Sequence, residues 1–459
     1  MAHSSSNPKG KLAGSRAVES KPRLPTDVVS LRDLEEGTAS SDDTQGDNIP
    51  RADGGKDAWL FLAACFVFEA LIWGFPFAFG VFQTYYSTHP PFNKDANSIA
   101  TIGTCATGIM YLFAPVSLYV LETFPPIRRL SSIVGLVIVL VALIAASFAT
   151  QMWHLIVTQG VLYAIGGSLS YSPTMFYLDQ WFVKRKGLAL GVMWSGVGTS
   201  GLIFPFLLSY LLDGYGFRTT LRIWAIIMFF LCCPLIYYIK PRIPATYPSK
   251  TPTKPSYTFL KSPIFWFLQI ANIMSSLGFF SPSIYLSSYS ASLSYSPVIG
   301  TALTALLNSF SVIGAISLGH LSDTRHITTV VLLSSTLSAL SVFLLWGVST
   351  CISSLVLFTI IYGVFAGGWS AIWAGMIREV QRSDEMAGFG VLMGLFSAGR
   401  GIGSVACGPV TERLLQYEGF HGVGGGYGTE YGTVIFFTGV SAACGLIGVG
   451  ARFWKTERV

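Results

Sequence analysis

From Ala58 onward, apolar runs of about twenty residues recur with short polar breaks, the length an α-helix needs to cross ~30 Å of hydrocarbon at 1.5 Å per residue. Within lipid a backbone must satisfy its own hydrogen bonds, and a helix does so segment by segment. The pattern predicts spans at 58–82, 97–121, 131–149, 155–178, 187–212, 220–239, 263–287, 298–319, 327–346, 352–376, 386–411 and 432–454. The expected fold class is an all-α integral membrane protein of twelve transmembrane helices. Charged residues make up 11% of the 459, against about 25% in a soluble domain, too few to hydrate an exterior. A soluble fold is excluded, and the lipid bilayer is the first expected partner.

The longest polar connection, Lys240 to Ser262, is rich in Pro, Lys, Ser and Thr and divides the chain into halves at 58–239 and 263–454, with a linker at 240–262 and a C-terminus at 455–459. Residues 1–57 hold eight basic and ten acidic side chains and no apolar run longer than Val28-Val29. They read as a disordered cytoplasmic tail, either a solvated leader or a regulatory segment phosphorylated on residues such as Ser4 to Ser6, Ser40 and Ser41. The formal charge of +6 therefore arises in short loops of the apolar part, and no nucleic acid partner is expected. With the tail inside, the inner loops and C-terminus hold sixteen Lys or Arg, among them Lys250, Lys254, Lys455 and Arg458, and the outer loops only Lys94, Arg218, Arg222 and Arg413. That asymmetry predicts both termini in the cytoplasm. The seven cysteines nearly all fall in apolar runs, without regular spacing or a nearby histidine cluster, so neither a disulfide framework nor a metal site is expected.

The halves echo one another. The first span carries Trp73-Gly74-Phe75-Pro76 about eighteen residues in, and the seventh carries Gly278-Phe279-Phe280-Ser281-Pro282 about nineteen residues in. A proline at that depth frees a carbonyl, which protein or a wet cavity has to cover. The matched positions of Pro76 and Pro282 mark them as helix breaks and candidates for lining a cavity, with a packing kink as the alternative.

At the end of the eighth span, Gly319-His320-Leu321-Ser322-Asp323-Thr324-Arg325 resembles the G-x-x-x-D-(R/K)-x motif of the major facilitator superfamily. Glycine lets helices approach closely, and Asp323 with Arg325 can contact a neighbouring helix end in one conformational state and release it in another, so Gly319, Asp323 and Arg325 form a candidate switch. The corresponding loop of the first half, Glu122 to Arg129, keeps a basic pair without the glycine and aspartate, a degenerate copy. The string Trp181-Phe182-Val183-Lys184-Arg185-Lys186-Gly187-Leu188-Ala189-Leu190-Gly191 is similar to the signature (Y/W)-F-x-K-R-(R/K)-x-L-A-x-G of the monocarboxylate porter family within that superfamily, matching at Phe182, Lys184, Arg185, Lys186, Leu188, Ala189 and Gly191. Asp53-Gly54-Gly55 before Trp59 is similar to the acidic-Gly-Gly signature that precedes the family's first helix, though its spacing is off. With Gly399-Arg400-Gly401-Ile402-Gly403, the chain resembles the fungal branch of that family over about residues 53 to 454. The resemblance implies the major facilitator fold of two pseudo-symmetric six-helix halves, a monomeric transport unit and the plasma membrane. It does not carry over proton-coupled lactate or pyruvate transport, since the first span has no lysine after Lys56 and Ser309 to Gly319 hold no charge. The glycines at 191, 196, 198 and 201 with Pro205 also fail to reproduce the antiporter motif Gly-Pro-x-x-Gly-Gly.

Two ionisable residues sit well inside spans, Glu69 in the first and Arg400 in the eleventh. An unpaired charge at that depth costs about 2.5–3.5 kcal/mol on insertion scales, which makes each a candidate for substrate or proton binding, with structural pairing as the alternative. Arg400 offers a planar fork to a carboxylate; Glu69 offers a proton site. Trp73, Tyr171, Tyr177, Tyr285, Trp369 and Trp373 are candidate aromatic lining for an amphipathic substrate with a conjugated body, with interface belts and packing as their other role.

No nucleotide-binding loop, soluble energy-coupling domain or converging catalytic groups appear in the sequence, so no cofactor and no enzymatic residue is expected, and the drive must be an ion or substrate gradient. The first functional reading is a secondary carrier for a small organic anion or carboxylate-bearing metabolite, working by alternating access, with protons as a symported partner. A second keeps the fold and exports a larger apolar secondary metabolite, leaving Arg400 structural. A third is a non-transporting nutrient sensor that signals through the tail.

Overall fold

The computed structural model describes residues 50–243, 256–349, 351–417, 420 and 424–453. Ser4 to Ser6, Ser40 and Ser41 of the tail, Lys250 and Lys254 of the linker, the Lys94 side chain, and Lys455 and Arg458 lie outside them. Among the described residues ten helical runs are long and apolar enough to cross a membrane. One of these, Lys186–Tyr238, is two helices: Gly216, at φ 71° and ψ 167°, is its single non-helical residue. That left-handed backbone suits glycine alone without strain, so a loop-free bend takes the place of the short connection expected between the fifth and sixth spans. A further helix at 152–181, with a π-helical turn at Ile156–Leu162, completes twelve. We label them α1 (Lys56–Thr88), α2 (Ser98–Thr123), α3 (Pro125–Ala146), α4 (152–181), α5 (186–215), α6 (217–238), α7 (Pro263–Ser292), α8 (Val298–Thr324), α9 (Ile327–Trp346), α10 (Ile352–Ser383), α11 (Phe389–Leu415) and α12 (Gly432–Arg452).

The helix α4 is less apolar because it meets protein rather than lipid on most sides. Ser168, Ser170, Ser172 and Thr174 are fully buried. Ser170 and Ser132 of α3 exchange hydroxyl-to-carbonyl bonds of 3.0 and 3.2 Å, and Ser172 meets Ser117 of α2 at 2.8 Å. Gly135 of α3 lies directly against the α4 backbone at Gly166 and Ser170, where no side chain fits. Such interhelical bonds average about 0.6 kcal/mol each in a membrane protein, so close packing and many of them together hold the pair. The face of α3 that turns outward is the bulkier one: Val134, Val137, Val141 and Ile144 are exposed for lipid to cover, while Ser132, Gly135 and Ala142 are buried.

Two seams join the halves, α5 on α8 and α2 on α11. Glycines set both: Gly187 and Gly319 approach backbone to backbone in the first, and Gly394 lies against Pro115 in the second. The helices α1 and α7 are each interrupted, at Ala78 and at Phe280, beside Pro76 and Pro282. The carbonyl that Pro76 deprives of its donor, Ile72 O, accepts a 2.9 Å bond from Tyr163 of α4. In the second half Tyr362 of α10 reaches Gly278 O and Phe279 O at 3.5 Å. A tyrosine therefore covers each break, and the two breaks meet where Phe77 stacks on Phe280 at 5.8 Å.

Candidate functional site

The helices α1, α2, α4 and α5 of one half and α7, α10 and α11 of the other converge on Glu69 and Arg400, which are 0% and 3% exposed. Thr174 of α4 donates to Glu69 Oε1 at 3.2 Å, while Glu69 Oε2 has no partner. Arg400 lies over Phe279 at 4.2 Å and Phe280 at 5.9 Å, next to the break in α7, and its Nε and Nη1 are without partners. Desolvated cation–π contacts are worth about 2 kcal/mol but carry no countercharge. Tyr111 lies beside Gly401, the residue next to Arg400, where an added Cβ would come within 2.6 Å of the Tyr111 Cβ. Among the described residues neither charge takes part in an ion pair.

One turn from Glu69, Trp73 packs against Tyr111 at 4.5 Å, Tyr171 at 5.3 Å and Trp194 at 5.8 Å. Trp194 in turn meets Trp373 edge-on at 5.9 Å across the halves. Asn272 of α7 anchors the far side: its Oδ1 accepts from the indole N–H of both Trp369 and Trp373 at 3.1 Å, and its amide donates to Phe396 O at 2.7 Å. Of the aromatic candidates, Trp73, Tyr171, Trp369 and Trp373 belong to this centre. Tyr285 does not; it bonds Thr411 at 3.2 Å and packs against a separate cluster with Tyr431. Tyr177, one turn beyond Thr174 on α4, makes none of the ring contacts of this centre among the described residues. Sequence reasoning passed over Asn272, Tyr111 and Trp194, although a fully buried amide on α7 is a signal of the same kind as Glu69.

A family model described as the Major Facilitator Superfamily matches residues 61–408. The chain belongs to the major facilitator superfamily. It is a multi-pass membrane transporter, and it is similar along most of its length to fungal members. The agnestins efflux protein of Paecilomyces divaricatus is 28% identical over 403 residues, 87% of this chain and 89% of its own. An MFS-type transporter of Aspergillus niger is 26% identical over 402 residues, 86% and 91% of the two chains. The fujikurins efflux protein of Gibberella fujikuroi is 24% identical over 408 residues, 88% and 84%.

In this major facilitator the motif residues gather on the face where the described chain begins and ends. Asp323, at the end of α8, accepts from the N–H groups of Gly187 and Leu188 at 2.8 Å each, capping α5 of the other half, and Arg378 reaches the same carboxylate at 3.0 Å. The expected partner, Arg325, has an exposed side chain with no ion pair among the described residues; Arg378 of α10 takes that place. The first-half loop, degenerate in sequence, still places a carboxylate at a helix start of the other half. Glu122 of α2 accepts from Val391 N–H at 2.9 Å and so caps α11, the same arrangement with the halves exchanged.

The stretch 181–191 acts chiefly through its backbone. Asp53, at φ 57°, accepts four hydrogen bonds of 2.8–3.0 Å from the N–H groups of Val183, Lys184 and Arg185, which ties the two sequence signatures together. The Lys184 and Arg185 side chains are exposed, whereas Lys186 pairs with Asp179 and lies 5.2 Å over Phe389 of α11. Phe182 packs edge-on against Trp59 at 6.0 Å, Ala189 is buried, and Leu188 supplies one of the capped amides. A Cβ on Gly191 would strike Ala315 O of α8, which is why glycine stands there.

Proposed function

We propose that this major facilitator exports a secondary metabolite with a conjugated or largely apolar body. The halves 58–239 and 263–454 would alternate access to the Glu69–Arg400 centre, with both termini cytoplasmic, in the plasma membrane, as a monomer. The observation that carries the reading is that centre: a ring of large aromatics around two buried, uncompensated charges at the seam of the halves. The relatives named as efflux proteins favour export over uptake. The stretch 181–191 supports placing the chain in the monocarboxylate porter branch, while the uncharged Ser309 to Gly319 speaks against short monocarboxylates as cargo. Glu69 serves as the proton site, and Arg400, Trp73, Tyr171, Trp369 and Trp373 surround the cargo.

Counterflow into proteoliposomes, with a panel of labelled secondary metabolites and short monocarboxylates, tests this. An acidic lumen is expected to drive accumulation of a conjugated metabolite, and Glu69→Gln to remove the dependence on the gradient. Accumulation of short monocarboxylates alone, driven by an acidic exterior, would sink export in favour of symport.

A further inference from the structure

Buried polar atoms in folded proteins nearly always have a hydrogen-bond partner, so those that lack one are informative when they gather in one place. Half of the unpartnered buried side-chain atoms among the described residues belong to the centre: Glu69 Oε2, Trp73 Nε1, Trp194 Nε1, Gln269 Oε1 and both Nε and Nη1 of Arg400. They are joined by direct contact. Tyr111 packs against Gly401, next to Arg400, and its ring lies 4.5 Å from Trp73; Trp73 is 5.8 Å from Trp194, and Trp194 is 5.9 Å from Trp373, which bonds Asn272. Gln269 is one turn from Asn272 and returns to the start, since a Cβ on Gly399 would lie 2.5 Å from its Nε2.

The free atoms specify a complementary molecule. Two charged donors on Arg400, held under phenyl rings and without an ion pair among the described residues, ask for an anion. Two indole N–H groups can only donate, so they ask for acceptor oxygens beside an aromatic surface. Gln269 Oε1 can only accept, so it asks for a hydroxyl. A short aliphatic acid would meet Arg400 and leave both indoles and the amide unsatisfied. A wholly apolar compound would satisfy none of them.

We infer that the cargo is a hydroxylated aromatic acid of two or more rings, its ionised group on Arg400, its ring oxygens on the Trp73 and Trp194 indoles, and a hydroxyl on Gln269. This rests on the export reading above and narrows its cargo. The anion supplies the charge that Arg400 lacks, and the rings stack among tryptophans that a smaller molecule would not span.

The test uses the full-length chain in nanodiscs and proteoliposomes with 3-hydroxy-2-naphthoate, its methyl ester and propionate, read by tryptophan quenching and by counterflow. The acid is expected to bind at least tenfold more tightly than either the ester or propionate. Arg400→Gln should abolish the preference for acid over ester while retaining ester binding, which also reports a folded protein. Trp194→Phe keeps a ring and removes the N–H; it should weaken acid and ester alike by several-fold, which a packing role would not do. If Arg400→Gln does not reach the membrane, Arg400→Lys replaces it, with a reduced but surviving preference expected.

Equal affinity for acid and ester in the wild type, a preference that survives Arg400→Gln, or no saturable quenching by either aromatic compound would overturn the inference, the free atoms then being occupied by water. Failure of the export reading has a different signature: the acid binds with the expected preference, but no compound crosses the bilayer.

Discussion

The two seams between the halves end in the same device built from different parts. On one, Asp323 at the end of α8 receives two N–H groups of α5 and a guanidinium; on the other, Glu122 at the end of α2 receives Val391 N–H of α11, and the nearby Arg128 turns away to Leu121 O at 2.7 Å. A carboxylate at a helix N-terminus meets free amides and the positive end of the helix dipole, so both contacts tie the halves together on this face. The comparison teaches that pseudo-symmetry here preserves the placement of a charge while letting the residue and its surrounding motif change. The α5 seam is the stronger of the two, because its carboxylate is 5% exposed and triply bonded.

The largest break in that comparison is Asp323→Asn. Arg378 is 31% exposed and keeps its bond to Ser322 O, but an amide offers one neutral acceptor oxygen where the carboxylate offers two charged ones, so the bonds from Gly187 and Leu188 weaken at a cost of about 3 kcal/mol, on the order of a hundredfold in local opening of the α5 N-terminus. Hydrogen exchange at the Gly187 and Leu188 amides should accelerate accordingly, while the amide of Val391 stays protected. Next comes Gly187→Ala, whose methyl would strike Gly319 O and Ser322; forcing the α5 and α8 backbones apart is expected to cost about 2 kcal/mol, read as a lower unfolding temperature in detergent. Glu122→Gln should cost about 1.4 kcal/mol, roughly tenfold in exchange at Val391 and none at Gly187. Equal responses at both seams would abolish the ranking. Gly388→Ala sharpens the contrast: its methyl would push on the Glu122 carboxylate that caps α11, so a loss no larger than that of Glu122→Gln is expected, again read at Val391. The smallest effect belongs to Lys184→Ala with Arg185→Ala, two exposed side chains on a backbone held by Asp53. Unfolding temperature and counterflow rate should change by no more than about 0.5 kcal/mol allows.

Much of this was legible in the sequence where one residue type has one physical consequence. Long apolar runs have to be helices, so eleven of the expected spans follow from hydropathy, and α4 follows although its serines dilute the signal. Glu69 and Arg400 stood out because charge at membrane depth is expensive. The paired breaks at Pro76 and Pro282 were visible; the tyrosines that cover them were not, because Tyr163 and Tyr362 lie 91 and 84 positions from the carbonyls they reach. The capping role of Glu122, whose loop reads as a degenerate copy of the motif, is hidden for a related reason. A motif describes neighbours along the chain, whereas its role depends on α11, which begins 267 residues later. Tyr285 shows the converse, a residue of the right type on the right helix that faces another cluster.

The serine seam of α4 bears on how the protein is made. A segment with four buried hydroxyl-bearing residues along one stretch offers a less apolar face when it emerges alone, and its partners lie on other helices: Ser172 meets Ser117 of α2, Ser170 meets Ser132 of α3 and Thr174 meets Glu69 of α1. Entry of α3 and α4 as a hairpin would pair part of that face, and substitutions along it are then expected to reduce the amount of protein delivered to the membrane before they touch the rate at which each delivered molecule works.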